Sequence, residues 1–180
     1  MTAWQPERVP LYTVGHSTRT DAELVDLLAG AGVRQLADVR TVPRSRQNPQ
    51  FNREHLAEFL PRAGIAYRHV PALGGLRKPR PDSPNGGWQV PAFRGYADHA
   101  LGAEFAAALD ELLAWAAEAP TATMCAEAVW WRCHRRIIAD WALARGEPVV
   151  HLLGPGKSEA GTLTPFAQMA ERQMTYPGLL

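Results

Sequence analysis

Along this chain, short apolar runs that end in glycine or a polar string alternate with stretches whose apolar residues return at helical spacing. Leu11 to Gly15 (LYTVG) is β-prone and runs into HSTRT, which predicts a buried strand feeding a loop. Thr20 opens TDAE, the spacing at which a threonine oxygen and Glu23 satisfy free helix amides. Leu24, Leu27, Leu28 and Ala31 follow at helical period, and Gly32 ends that helix. Gln35 to Val39 (QLADV) predicts a second strand. Asn52 stands where a helix cap belongs, ahead of Leu56, Phe59 and Leu60; Gly64 stops this helix, and Ile65 to Val70 predicts a third strand. Beyond a long connection, Phe105, Leu109, Leu112 and Leu113 mark a third helix and Thr121 to Cys125 a fourth strand. A fourth helix carries Ile137, Ile138 and Trp141 on its apolar face and ends at Gly146, before a fifth strand from Pro148 to Leu153.

This alternation predicts an α/β fold, a mainly parallel five-stranded sheet with helices on both faces. No repeat or break in composition divides the chain, so residues 1–180 are expected to form a single α/β domain, with its core over about 11–153 and a C-terminal extension over 154–180. Pro71 to Pro91 departs from the short connections elsewhere: LGGLRKPRPDSPNGGWQV is rich in Pro and Gly and has no apolar period, the mark of a lid, a binding loop or a disordered segment. The pattern leaves open whether residues 76–90 form an ordered lid. The tail, with Pro155, Pro165 and Pro177, reads as a partly ordered extension that packs on the body or on a partner and carries no chemistry.

Composition narrows the function classes. With 46% apolar and 21% charged residues the chain is not of the disordered type, and at this length roughly 70% of the unfolded surface can be buried without a covalent staple. The formal net charge is +1, so any attraction for polyanions must be local. MTAWQPERVP has no apolar run with basic flanks and no later stretch approaches the roughly 18 apolar residues of a span, which leads us to expect a cytoplasmic protein with no membrane partner. Its two cysteines, Cys125 and Cys133, sit in one short segment; in a reducing compartment that means chemistry or plain burial, not a structural disulfide.

The candidate chemistry collects at strand ends. In open parallel sheets ligands bind outside the carboxyl ends of the strands, where loops diverge and helix amides point into a crevice. His16 follows the first strand, Arg40 the second, Gly74 and Gly75 the third, and Cys125 and Glu127 the fourth. An imidazole such as His16 serves as acid, base or metal ligand near neutrality, or as a hydrogen-bonded structural residue. Arg40, Arg44, Arg46 and Arg53 lie in a stretch with no acid between Asp38 and Glu54, a local anion-binding patch or else a solvated basic loop. Asp38 reads as a structural partner, whereas Asn48, Gln50, Phe51 and Asn52 offer amides and a stacking face. In CAEAVWWRCHRR, Cys133 and His134 are expected in the first turn of the fourth helix, where the helix terminus with Arg132, Arg135 and Arg136 favours thiolate over thiol. The bland alternative makes both cysteines small buried hydrophobes. A metal site is a further reading, though CxE followed by CH is not a standard zinc spacing, and no residue is assigned as a ligand. Trp115 and Trp141 are expected in the core; Trp130 and Trp131 pack or line the cleft; Trp88, Phe93 and Tyr96 depend on the lid.

The stretches TVGHSTRT, LADVRTVPRSRQNPQFNRE, AYRHVPALGG, FRGYADHA and MCAEAVWWRCHRRIIADWALARGEPVVHL together resemble a bacterial and archaeal family known as domain of unknown function 488, over most of Leu11 to Leu153. The resemblance implies a compact α/β sandwich and carries the family pattern onto Gly15, His16, Ser17, Asp38, Arg40, Arg44, Arg46, Asn48, Phe51, Asn52, Leu73, Gly74, Gly75, Arg94 and Tyr96. It extends to Cys125, Glu127, Cys133, His134 and Arg135. It implies no activity. A looser likeness is to rhodanese-type sulfurtransferases, in LADVR and in a cysteine ending a strand, but AEAVWW places Glu127 and two tryptophans where a glycine- and serine-rich cradle is expected.

Three functions follow as expectations. The first is an enzyme, a cysteine-dependent transferase or hydrolase, acting on a small anionic or nucleotide-like substrate. In it Cys133 or Cys125 is the nucleophile, and His16, His134 or Glu127 moves protons. Ser17, Arg40, Arg44, Arg46, Asn52, Gly74, Gly75, Arg94, Tyr96 and Arg135 form its binding set. The second is a nucleotide or nucleic-acid binding module without catalysis, using Arg40, Arg44, Arg46, Trp88 and Phe51. The third is a metal or redox sensor built from Cys125, Glu127, Cys133 and His134. Cofactor and oligomeric state are left open.

Overall fold

The computed structural model describes residues 8–179; residues 1–7, on which the expectation of a cytoplasmic protein partly rests, lie outside the described residues. The five expected strands are present: β1 (Leu11–Gly15), β2 (Gln35–Asp38), β3 (Ala66–His69), β4 (Thr121–Cys125) and β5 (Val149–Gly154). They pair in parallel in the order β3-β2-β4-β1-β5, and a sixth strand, β6 (Lys157–Ala160), closes that edge antiparallel to β5. Gly156, at φ +67, makes the hairpin turn that the sequence pattern did not flag.

Period-two alternation sorts side chains onto two faces. On one, Val14, Leu36, Ala122, Met124 and Leu152 meet Leu24, Leu27 and Leu28 of α1 (Asp21–Gly30) and Leu56 and Leu60 of α2 (Arg53–Arg62). On the other, Leu11, Ala37, Cys125 and Val149 meet α3 (Pro91–Ala100), α4 (Ala103–Ala116) and α5 (Arg135–Ala144) through Ala97, Phe105, Leu109, Leu112, Ile137, Ile138 and Trp141. Each fully buried Leu or Phe contributes about 1.5–3 kcal/mol over exposure, so these two layers carry the fold. Thr20 makes the expected capping box with Glu23. Asn52 precedes α2 but does not cap it, because its side-chain oxygen accepts the Ser45 amide at 2.7 Å instead.

The Pro/Gly-rich connection is an ordered wall, and α3 at its end was not legible as a helix because Tyr96, Ala97 and Ala100 give it only a thin apolar stripe. A buried carboxylate organises it. Asp98 on α3 accepts the Arg80 amide (2.8 Å), the Ser83 hydroxyl (2.5 Å) and the Asn85 side-chain amide (2.7 Å). Arg94 donates to the Trp88 carbonyl at 3.0 and 3.1 Å, so it staples this connection. The tail packs on the body rather than standing off it. Asp140 on α5 accepts the Thr164 amide and the Tyr176 hydroxyl, each at 2.8 Å, and Asn85 accepts the Tyr176 amide at 2.9 Å. A small hairpin of β7 (Gln168–Ala170) and β8 (Gln173–Thr175) lies between those anchors. Among the described residues no helix is long and apolar enough to cross a membrane.

Tyr176→Phe removes one of two neutralising donors from the buried Asp140. It is expected to lower stability by about 1–3 kcal/mol in urea denaturation. An unchanged midpoint would mean that the tail is not part of the cooperative unit.

Candidate functional site

The carboxyl ends of β1, β2 and β4 deliver His16, Arg40 and Cys125 to one edge of the sheet, as the strand-end rule anticipates. Two cavities open there. One, of about 320 Å³, is lined by Cys125, Glu127, Cys133, His134, Arg40, Arg132 and Gly75, with Val42, Leu76 and Phe93 at its rim. The other, of about 440 Å³, is lined by His16, Ser17, Thr18, Arg44, Ser45 and Asn48. Arg40, Val42, Ala126 and Glu127 belong to both and form the wall between them.

The floor of the first cavity is built around Arg135. This residue is 1% exposed, and its Nε–H points at both sulfurs, 3.0 Å from Cys125 Sγ and 3.4 Å from Cys133 Sγ. One Nη2–H is taken by the Glu127 carbonyl at 2.6 Å. Among the described residues no carboxylate lies within ion-pair distance of it. A buried cation without an anion costs several kcal/mol, so the counter-charge has to come from a sulfur. Burial pushes the guanidinium down, but the two sulfurs outweigh that and hold it above its ordinary value.

Which sulfur carries the charge is decided by what else touches it. Cys133 lies in extended backbone just ahead of α5, not in its first turn as expected, and its Sγ accepts the Arg135 amide at 3.5 Å. His134 occupies the cap position. Its Nε2 faces the Val39 carbonyl at 2.7 Å and must carry a proton, which leaves Nδ1 turned to Cys133 Sγ at 3.5 Å. Burial alone pushes the Cys133 thiol up; the hydrogen bonds from Cys125 and His134 and the charges of His134 and Arg135 overcome it and hold Cys133 well below the usual thiol range. Cys125 is pushed well above that range by burial and by the neighbouring Cys133 thiolate. Proximity to Arg135 Nε would by itself favour charge on Cys125, but that sulfur has neither the imidazole nor the helix amide. The pair therefore holds one proton, on Cys125.

Glycines make this packing possible. A Cβ on Gly75 would fall 2.4 Å from His134 Nδ1, and one on Gly15 would fall 1.8 Å from the Glu127 carbonyl that anchors Arg135. Gly74 is pressed as closely on Thr41. Tyr96 is fully buried, donates to the Leu73 carbonyl at 2.8 Å and lies tilted against the His134 ring, so it positions that ring from behind.

The Arg40 cluster is as tightly specified. Asp38, fully buried, receives Arg40 Nε at 2.8 Å, Nη2 at 2.6 Å and the Tyr67 hydroxyl at 2.7 Å. Nη2 also donates to the Phe51 carbonyl at 2.7 Å and Nη1 to His16 Nε2 at 3.1 Å. Of the five guanidinium hydrogens one remains without a partner among the described residues. His16 is stacked on Phe51, donates Nδ1–H to the Ser17 carbonyl at 2.8 Å, and has no nitrogen left for proton transfer. It holds Arg40 rather than moving protons.

The remaining candidates divide. Ser17 and Arg44 line the second cavity, with Arg44 extended toward Glu54 at 3.7 Å in solvent. Arg46 is exposed but lines neither cavity, Asn52 staples the arginine loop, and Arg94 is held at Trp88. Trp88 and Phe51, the stacking faces of the nucleic-acid reading, are buried at 6% and 0% exposure and offer no free face. Among the described residues no three His, Cys, Asp or Glu side chains are grouped to hold a metal ion. Arg132, exposed on the wall of the first cavity, and the apolar rim of Val42 and Leu76 were not singled out from sequence as ligand contacts; an arginine directly before Cys133 was the available signal.

The model of the family described as Domain of unknown function DUF488 matches residues 20–142, a span that takes in the arginine loop, the paired glycines and the whole cysteine segment but not His16 and Ser17. No curated protein matches the chain, and no solved structure does.

Burial lowers His16 from 6.5 to about 4, and it lowers His151, buried within β5 and hydrogen-bonded to Thr13, to about 4 as well. Both folded values lie below the unfolded one, so between pH 6.5 and 4 the unfolded chain binds protons that the folded chain refuses. The stabilisation is complete above pH 6.5 and is lost as pH falls through that window. Urea denaturation should show a loss of about 2 kcal/mol for each ring between pH 7 and pH 5. A flat profile over that interval would contradict neutral, buried imidazoles.

Proposed function

Given that the chain belongs to the DUF488 family, whose description assigns no activity, we propose from the site alone that it is a cysteine-dependent transferase or hydrolase acting on a small anionic or nucleotide-like substrate. One observation carries this reading: a fully buried arginine with no carboxylate partner holds two sulfurs at the floor of an open cavity. Such an arrangement supplies a thiolate, the reactive form of cysteine, at neutral pH.

Cys133 is the nucleophile and attacks an electrophilic centre held over the cavity floor. His134, whose Nδ1 faces the Cys133 sulfur at 3.5 Å, relays a proton to the leaving group and stays oriented by the Val39 carbonyl. Glu127, exposed between the two cavities, is the group beside which a second nucleophile, water or an acceptor, can be deprotonated. The unpartnered Arg40 hydrogen and the exposed Arg132 and Arg44 take the anionic part of the substrate, and Val42, Leu76 and Phe93 take an apolar or base-like part. A near-zero net charge fits a small ligand better than a long polyanion.

Iodoacetamide at pH 7 should alkylate Cys133 at least about tenfold faster than Cys125, and inorganic phosphate should slow that reaction. Replacing Arg132 with Ala should weaken the protection without changing the selectivity. Equal, slow labelling of both cysteines would sink the proposal.

A further inference from the structure

A single-nucleophile reaction has no use for the second sulfur. Cys125 nevertheless lines the same cavity as Cys133, and both sulfurs share one Arg135 N–H at 3.0 and 3.4 Å, so they lie side by side and face the same ligand. Both cysteines are free and buried. Beyond Arg135 and Cys133, the Cys125 sulfur reaches the Glu127 carbonyl at 3.9 Å, a weak tether.

We propose that Cys125 and Cys133 are a thiol–disulfide exchange pair whose substrate is a carboxylate-bearing low-molecular-weight disulfide. This rests on Cys133 being the resting thiolate, as the proposed function requires.

The exchange is driven by the need of Arg135 for a counter-ion. The Cys133 thiolate attacks one sulfur of the substrate disulfide; that S–S bond breaks, and the released thiolate takes the proton from His134 Nδ1 and leaves as a thiol. Cys133 is now a mixed disulfide and carries no charge. Arg135 is left with Cys125 Sγ, at 3.0 Å, as the one sulfur able to balance it. The repulsion that kept Cys125 protonated has also gone. Cys125 therefore loses its proton to solvent through the open cavity, attacks Cys133 Sγ and expels the second half of the substrate, which leaves as a thiolate and is protonated by water. Two electrons have passed from the protein sulfurs to the substrate, one disulfide has formed and one has been broken. A small-molecule thiol returns the pair to its starting state by the reverse exchange.

The cavity suits this substrate class. Arg132 and the free Arg40 hydrogen meet a carboxylate, Val42 and Leu76 meet the methylene portion, and about 320 Å³ accommodates one half of such a molecule above the sulfurs. The internal disulfide carries no negative charge for Arg135. It is therefore less favourable than an ordinary structural one and reverts readily to the dithiol.

Glutathione disulfide is the probe. Full-length protein incubated with it, quenched with acid and weighed intact should lose two hydrogens, with both cysteines then closed to alkylation, and a modest excess of reduced glutathione should restore them. Cys125→Ser, or Cys125→Ala if the first variant fails to fold, should stop at a stable glutathione adduct on Cys133. A lasting adduct on the wild-type protein, or no reaction at either cysteine, would overturn the exchange pair. The pH dependence of Cys133 alkylation in Cys125→Ser separates the two levels. A Cys133 titrating well below the ordinary thiol range without disulfide formation removes the exchange and leaves the proposed function; ordinary titration removes both.

Discussion

Arg135 occupies a place in which a guanidinium is hard to keep. It is 1% exposed, and among the described residues the groups within reach of its side-chain N–H bonds are two cysteine sulfurs and one peptide carbonyl. Removing a cation from water costs several kcal/mol after relaxation, and a carbonyl dipole recovers only part of it. The remainder requires a negative sulfur. In the function proposed above, reactivity at this edge of the sheet is a by-product of burial, since the charge that stabilises Arg135 would also be the lone pair offered to a substrate.

Much of the surrounding fold serves this contact. β4 lies at the centre of the sheet with all five residues buried, so Cys125 at its end is fixed in place. β1 ends beside it in a glycine because the Glu127 carbonyl fills the space of a Cβ, and that carbonyl anchors the other end of the guanidinium. Gly75 grants the same closeness to the His134 ring, which Val39 and Tyr96 hold from two sides. The second charged cluster, Asp38 with Arg40, His16 and Tyr67, is satisfied apart from one hydrogen, and this asymmetry separates their roles. Arg135 holds two sulfurs, whereas Arg40 shapes the wall between two cavities and presents a single donor.

The sheet was legible because its strands obey the simplest pattern, apolar runs between glycine and polar punctuation, and the strand-end rule then brought His16, Arg40, Cys125 and Glu127 together without any knowledge of contacts. What stayed hidden was carried by polar burial. α3 and the ordered wall before it depend on Asp98, and the tail depends on Asp140; neither aspartate forms part of an apolar period. β6 consists of exposed residues and is held by backbone pairing with β5, which no side-chain pattern reports. Within the site, sequence placed His16 among the proton carriers, because a histidine after a strand does not reveal that both its nitrogens are occupied. It placed Cys133 inside the helix that in fact begins two residues later, where the Arg135 amide and His134 still reach its sulfur. Arg94 and Tyr96, near the site in sequence pattern, work behind it as packing.

Everything above turns on Arg135 being balanced by a thiolate on Cys133 in the resting protein. The difference in ultraviolet thiolate absorbance between the wild-type protein and Cys133→Ser, followed through an acid titration, reads that charge directly. The expected thiolate signal is already complete at neutral pH and disappears only well below the ordinary thiol range. A signal that is missing at neutral pH and grows in around the ordinary cysteine value, about 8.5, would contradict it.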